Sequence, residues 1–578
     1  MTGVFNAHAV PETMELARVR MLPRRDWRIG YGVSNFDLIQ TLTGAFMRPG
    51  GCQSLRPAQA ACLSELYDCG GLCVPIGVGE GKTLPGFLAA RAIGAKRPLL
   101  LIPAKMREKT EREKIAYQVN WVFPEPRIEN YEQLSREASA GFLDIYEPDL
   151  IVCDEAQALK NPKAARTRRL MRYLRKQRAA GKTVALVIMS GTFTRRSVMD
   201  YWHLFRAALG DKHVPLPTNW NEAQTWAGAI DSKQNDLGRN PAGALVTLCD
   251  MSDVPALNAG GEQELAAIRG AFMRRLTQTP GVIATVESSV RCDLEINAHV
   301  IALPGLRDPF EKLRTKYMTP DDHPFSDAMS LWRHARELSC GMYYRWNPRP
   351  PEEWKQAKKA WAKFVRDVLS HSQKYDAELP VYNAVMRGEL PLGNEILAAW
   401  SRLRPTFKPN QETVWCDDTV LRFAANWLAN NDGICWTEHV AFGEELSRLT
   451  GRPYYGAGGL THDKRSILDC SGPIIASIQA NGTGHNLQAY HRNLIVSVPT
   501  SGAVWEQLAG RTHRPGQKSR AVYFDLVFAC REQLAGFNYA LADSAYIEHS
   551  TGQPQKLRRA ANIELPDIDD LTGTHPAW

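Results

Sequence analysis

Three short segments carry residue types that could act together on a phosphate ester. The first is Gly77-Val78-Gly79-Glu80-Gly81-Lys82-Thr83. Glycines at 79 and 81 free backbone N–H groups to converge on phosphate oxygens at a helix N-terminus, where partial positive charge already favours anions. Lys82 suits the β- and γ-phosphates, and the Thr83 hydroxyl suits Mg²⁺. A Gly-rich turn of this kind also arises with no ligand, and a strict phosphate loop would carry Gly where this chain has Ile76. The second segment is Asp154-Glu155-Ala156-Gln157. There Asp154 is suited to hold Mg²⁺, and Glu155 to orient and deprotonate an attacking water. Taken alone, an Asp-Glu after a strand is usually a solvated turn or a helix start. The third is Gln507-Leu508-Ala509-Gly510-Arg511-Thr512-His513-Arg514-Pro515-Gly516-Gln517. Arg511 and Arg514 would share a helical face, so both guanidinium forks could meet one triphosphate; the plain alternative is a surface pair bound to carboxylates or solvent.

These segments need elements to hold them. Apolar runs at Leu72 to Ile76, Leu99 to Ile102, Leu150 to Cys153 and Val184 to Met189 suit strands buried on both faces of a parallel sheet. A second series, Gly433 to Trp436, Pro473 to Ile478, Asn493 to Val498 and Ala521 to Val527, predicts a second sheet. The fold class expected is α/β, with two parallel-sheet domains in tandem and a mostly helical insertion between them. The expected division is an extension over 1–45, a first lobe over 46–205, the insertion over 206–410, a second lobe over 411–535 and an extension over 536–578. Within the insertion, Trp354, Ala357, Trp361, Phe364 and Val365 fall on one helical face, among Lys355, Lys358, Lys359 and Lys363. An amphipathic helix packed on its Trp face is the preferred reading, over a base-stacking surface.

The 578 residues exceed a single small module, and 44% apolar content is enough for several cores. No apolar run approaches the roughly 18 residues of a membrane span, and Glu12 and Glu15 break any leader-like core near the start. A cytoplasmic protein of a bacterial or phage-infected cell is expected, nuclear if the source is eukaryotic, with no membrane partner. The 12 cysteines are scattered, and Cys62, Cys69 and Cys73 lack paired ligand spacing, so buried thiols are expected rather than a zinc site. The net charge of +8 permits a polyanionic partner. From Lys160 to Lys182 the chain carries only basic charges: Lys160, Lys163, Arg166, Arg168, Arg169, Arg172, Arg175, Lys176, Arg178 and Lys182. A phosphate-facing surface and a solvated helix face both account for such a block.

Residues 50 to 530 resemble a superfamily-two helicase core, and within it the Swi/Snf type of DNA-dependent ATPase and translocase. The resemblance rests on the glycine loop, on Asp154-Glu155 continued by Leu159-Lys160-Asn161, and most specifically on the arginine motif at 507–517. It extends to Leu55-Arg56-Pro57-Ala58-Gln59, Asn130-Tyr131-Glu132-Gln133-Leu134, Ser190-Gly191-Thr192, Tyr201-Trp202-His203-Leu204-Phe205 and Gly482-Thr483-Gly484-His485-Asn486-Leu487. The chain departs from that pattern at Ile76-Gly77, Glu80, Phe193 and His485. The resemblance implies that the two parallel-sheet domains are RecA-like, and that ATP and Mg²⁺ are the ligands. Lys82, Asp154, Glu155, Gln157, Arg511 and Arg514 would be catalytic; Gln59, Gly79, Gly81, Lys82, Thr83 and Gln507 would bind ATP; and Thr83 and Asp154 would hold the metal. Ser190, Gly191, Thr192 and Thr483 would couple ATP to DNA, with Lys160, Lys163, Arg166 and Arg169 on the nucleic acid. Double-stranded DNA is the implied partner, with DNA-bound proteins as further candidate substrates. A strand-separating DNA or RNA helicase, an ATP-gated DNA clamp and a phosphate-loop ATPase acting on proteins stand as alternatives.

Overall fold

The computed structural model of the chain describes residues 9–25, 27, 33–77, 79–194, 196–231, 240–284, 290–325, 327–372, 374–408, 410–561 and 563–565. Val78, and the outer parts of both expected extensions, lie outside the described residues.

The first sheet contains β1 (Leu72–Pro75), β2 (Pro98–Ile102), β3 (Arg127–Asn130), β4 (Leu150–Asp154) and β5 (Ala185–Ser190). All are parallel, in the order β1-β5-β4-β2-β3. Every residue of β1, β2, β4 and β5 is buried, because helices cover both faces. The order decides the chemistry. With β5 between β1 and β4, Ser190 pairs with Pro75 on one side, and Met189 pairs with Asp154 on the other. The carboxyl ends of three strands therefore deliver the glycine loop, Ser190 and Asp154 to one rim, where ligands of parallel sheets bind.

Farther along lie β6 (Asp293–Val300) and the antiparallel pair β7 (Met342–Trp346) and β8 (Gln411–Trp415). The second sheet is completed by β9 (Ile434–Thr437), β10 (Tyr454–Tyr455), β11 (Ile474–Ser477), β12 (Arg492–Ile495) and β13 (Ala521–Phe528). Its order is β10-β11-β9-β12-β13-β6, again all parallel. The two tandem parallel-sheet α/β domains expected from the apolar runs are present. None of the helices among the described residues is long and apolar enough to cross a membrane.

The stretch from 206 to 410 is largely helical, but it does not pack as one body. Trp226, Ile230, Ile268 and Phe272 join the core of the first lobe. Strand β6 joins the second sheet, and Leu306, Phe310, Leu313 and Leu338 join the second lobe's core. Among the described residues, only the part around 354–407 builds a core of its own, in which Trp354, Trp361, Val365, Val381, Leu397 and Trp400 meet. Helix Glu352–His371 thus packs on its Trp face, and the rings are spent inside the module. Burial pushes the thiol of Cys62 well up, and Cys73 is equally enclosed.

Helix Arg531–Thr551 binds the lobes together. Leu534, Phe537 and Ala540 lie in the second lobe's core. Farther along, Asp543 pairs with Arg196 at 2.5 Å, and the Tyr546 hydroxyl donates to Asp231 at 2.8 Å, both partners belonging to the first-lobe side.

Candidate functional site

The glycine loop leaves β1 and enters helix Thr83–Ile93. Gly79 (φ 94°) and Gly81 (φ 77°) both occupy the left-handed region, which opens the concave run of N–H groups an anion needs. Gln59 fixes the loop from the side. Its Oε1 accepts the Arg56 N–H at 2.9 Å, closing the start of helix Pro57–Cys69, and its Nε2 donates to the Gly81 carbonyl at 2.9 Å. Thr83 is half-buried at the first helical position.

Lys82 is buried and lies 3.4 Å from Glu155 Oε1. Glu155 stands at φ 54° just past β4, a turn that aims its carboxylate at the rim. Asp154 is braced from behind by the Tyr131 hydroxyl, which donates to its carbonyl at 2.8 Å, and its Oδ1 accepts the Glu155 N–H at 3.0 Å. The two acids split in character. Burial pushes the Asp154 carboxyl up to about 6 against the pull of Lys82. Glu155 suffers the same burial, but Lys82, the Gln157 amide and Arg511 outweigh it and hold that carboxyl below its ordinary value.

A chain of hydrogen bonds ties this pair to β5 and to the other lobe. Gln157 Nε2 donates to Glu155 Oε2 at 2.8 Å, while Ser190 Oγ donates to Gln157 Oε1 at 2.5 Å and accepts the Thr192 N–H at 2.9 Å. Gly191 is buried between them. From the second lobe, Gln507 Nε2 reaches the same Glu155 Oε2 at 3.4 Å.

The two arginines differ in position. Helix Gly502–Thr512 ends before Arg514, so the pair does not share a helical face as its spacing predicts. Arg511 is buried, and its guanidinium donates to the Gln507 carbonyl at 2.8 Å and the His485 carbonyl at 2.9 Å, holding the Gly-rich loop to its own lobe. Burial, then Arg514, pushes Arg511 down to about 10. Arg514 donates to Asn486 Oδ1, and its Cβ is near Gly79: a Cβ built on that glycine would sit 3.7 Å from it. The arginine segment therefore meets the glycine loop across the crevice. Thr483 is half-buried in the turn that follows helix Ile478–Asn481.

The basic block divides. Arg169, expected on nucleic acid, is buried instead. It forms a two-pronged pair with Asp376 (3.0 and 3.2 Å) and donates to the Leu134 and Arg136 carbonyls. Its neighbours Leu170 and Tyr173 put it on the apolar stripe of helix Ala165–Ala179, where a guanidinium must be paired. Arg168 likewise donates to the carbonyls of Leu369 and Tyr375. Arg166 is half-buried. Lys160, Lys163, Arg172, Arg175 and Lys176 are exposed, and a cavity of about 510 Å³ opens among Pro162, Arg168, Arg172, Arg175 and Lys176.

Lys105 and Lys109 were not anticipated. They follow β2, and thus stand at the same rim as the glycine loop. Burial, then Arg511, depresses both. The signal available was position alone: a lysine pair four apart, just past a buried strand.

No family model matches the chain, and no curated protein matches it. Among solved structures it is similar to that of the Mycobacterium smegmatis helicase Lhr bound to ssDNA and AMP-PNP, with 11% identity and a TM-score of 0.40 over 90% of this chain and 50% of that one. This chain thus spans about half the length of that protein, and a likeness so slight speaks to neither ligand nor activity.

Proposed function

We propose that this protein is a nucleic-acid-stimulated ATPase of the Swi/Snf type, a motor that hydrolyses ATP with Mg²⁺ and moves along duplex DNA, remodelling DNA or proteins bound to it. One observation carries the reading: Gln507 of the second lobe and Glu155 of the first lie 3.4 Å apart, beside Lys82 and within the field of Arg511. Chemistry begun on one sheet is completed by groups from the other, so the site is whole only when the lobes meet.

In this reading Gly79 and Gly81 cradle the phosphates, Lys82 leaves Glu155 for the β- and γ-phosphates, and Gln59 uses its remaining donor and acceptor capacity on the base. Asp154 and Thr83 offer the hard oxygens that Mg²⁺ takes, and the ion when bound neutralises charge developing on the phosphates. Glu155, kept ionised, orients the attacking water and receives its proton. Arg514 meets the transferring phosphoryl group, while Arg511 holds the loop that carries Asn486 and His485. The route from Glu155 through Gln157 to Ser190 and Thr192 supports a coupling role for those residues, since loss of the terminal phosphate would be felt along it. Phosphate contacts would come from Lys160, Lys163, Arg172, Arg175 and Lys176, which carry affinity without sequence information. Arg169 takes no part in that surface.

The test is ATP hydrolysis by the full chain with duplex DNA, single-stranded DNA, RNA or no polynucleotide. Stimulation by duplex DNA is expected, abolished in Lys82→Ala with loss of nucleotide binding, and abolished in Arg514→Ala with binding kept. Stimulation by RNA alone would transfer the protein to the strand-separating class, and hydrolysis indifferent to every polynucleotide would defeat the reading.

A further inference from the structure

The crevice between the lobes gathers four cations, Lys105, Lys109, Arg511 and Arg514, with few direct ion pairs among them. Helix Arg107–Gln118 follows β2 and presents Lys109, Glu113 and Tyr117 at intervals of four, hence on one stripe. The residues that lead into this helix face the second lobe. A Cβ built on Gly484 would stand 3.1 Å from Met106 Cγ and 3.7 Å from the Lys105 carbonyl, and Lys105 Nζ lies 3.4 Å from the Gln479 carbonyl. Lys109, one turn farther on, lies in the field of Arg511, Arg514 and Asp154. Among the described residues, Glu113 at 3.5 Å is the single carboxylate within ion-pair distance of Lys105, Lys109, Arg511 or Arg514. Cations drawn out of water without a direct partner are costly, and an anionic ligand reduces the cost. A second sign stands beside them: both ring nitrogens of buried His485 lack a hydrogen-bond partner, and burial with Arg511 and Lys105 pushes that ring down to about 4, so it stays neutral.

We propose that Lys109 is a ligand of the terminal phosphate of the bound nucleotide, exchanging Glu113 for a phosphate oxygen when ATP enters. The inference rests on the ATP reading of the crevice. It assigns the first lobe a second phosphate-binding lysine, outside the glycine loop and opposite the arginine segment. Lying in the field of Arg514, which the ATP reading puts on the transferring phosphoryl group, it addresses the end of the triphosphate that ADP lacks. Glu113 is a positioning residue, which keeps the ammonium charged and aimed while the site is empty.

The experiment is calorimetric titration of the full chain with Mg²⁺ and either ATP or ADP, for wild type, Lys109→Gln, Lys109→Arg and Lys82→Ala. A charge-assisted bond to the terminal phosphate predicts that Lys109→Gln binds ATP about tenfold to a hundredfold more weakly. ADP binding should be unchanged, and Lys109→Arg should recover most of the ATP affinity. Equal loss for ATP and ADP, or no loss for either, overturns the proposal. If Lys82→Ala loses ATP while Lys109→Gln keeps it, only this inference falls; if Lys82→Ala also binds as wild type, the ATP reading of the crevice falls with it.

Discussion

Removing the Asp376 carboxylate separates two roles that the basic helix could have. Arg169 and Asp376 are almost wholly buried, with 4% and 8% of their side chains exposed, and share two hydrogen bonds. Breaking such a pair from one side costs about 3–5 kcal/mol, because the surviving charge stays buried. In Asp376→Ala the guanidinium still donates to the Leu134 and Arg136 carbonyls, which puts the expected cost at the low end, about 3 kcal/mol. The double variant Arg169→Met, Asp376→Leu removes both charges and should regain most of that loss. Denaturant unfolding of the wild type and both variants, followed by Trp fluorescence, reads the loss and its recovery, since Trp354, Trp361 and Trp400 sit in the module that Asp376 anchors. A role for Arg169 on DNA predicts something else: stability near wild type and a salt dependence of DNA binding shallower by about 0.9 in log–log slope. A cost below about 1 kcal/mol for Asp376→Ala, the value of an exposed pair, would refute the buried latch.

Other perturbations address the remaining groups. Lys160→Ala with Lys163→Ala, both exposed, should flatten the same salt slope on duplex DNA by about 0.9 for each phosphate the lysines neutralise; an unchanged slope removes them from the surface. Burial raises Asp154 from 3.8 to about 6, so the native state holds this proton more tightly than the unfolded chain does. The group's contribution therefore favours folding at low pH and is lost as pH rises through about 6, whereas Mg²⁺ needs the ionised form. Mg²⁺-dependent ATP affinity should accordingly fall as pH drops from 7 to 5, and a flat titration would contradict this assignment. Tyr546→Phe removes a 2.8 Å hydrogen bond to buried Asp231 and should cost about 2 kcal/mol by thermal denaturation.

What the chain discloses in one dimension follows from how many faces an element buries. Strands β1, β2, β4 and β5 are covered on both sides and read as unbroken apolar runs, whereas edge strand β3 buries Ile128 alone among Arg127, Glu129 and Asn130. Edge strand β6 buries Leu294 and Ile296 in alternation and carries no unbroken apolar run, so its sequence does not stand out from the helical stretch around it. The glycine loop and Asp154-Glu155 are local constructions, legible because neighbouring residues build them. Charged helices are different, since an identical Lys or Arg can be solvated, latched or aimed at a ligand according to the face it occupies. Helix Ala165–Ala179 does have an apolar stripe, through Thr167, Leu170 and Tyr173, and Arg169 lies on it. An arginine there requires an acid, though nothing nearby says that the acid comes 207 residues later. Helix Arg107–Gln118 has almost no such stripe, burying Thr110 alone. Tyr117 packs on Phe87 within its own lobe, whereas Lys109 lies in the field of Arg511 and Arg514 from the lobe opposite. The cations that the meeting of the lobes leaves without a direct ion pair are the reason to look for a phosphate between them.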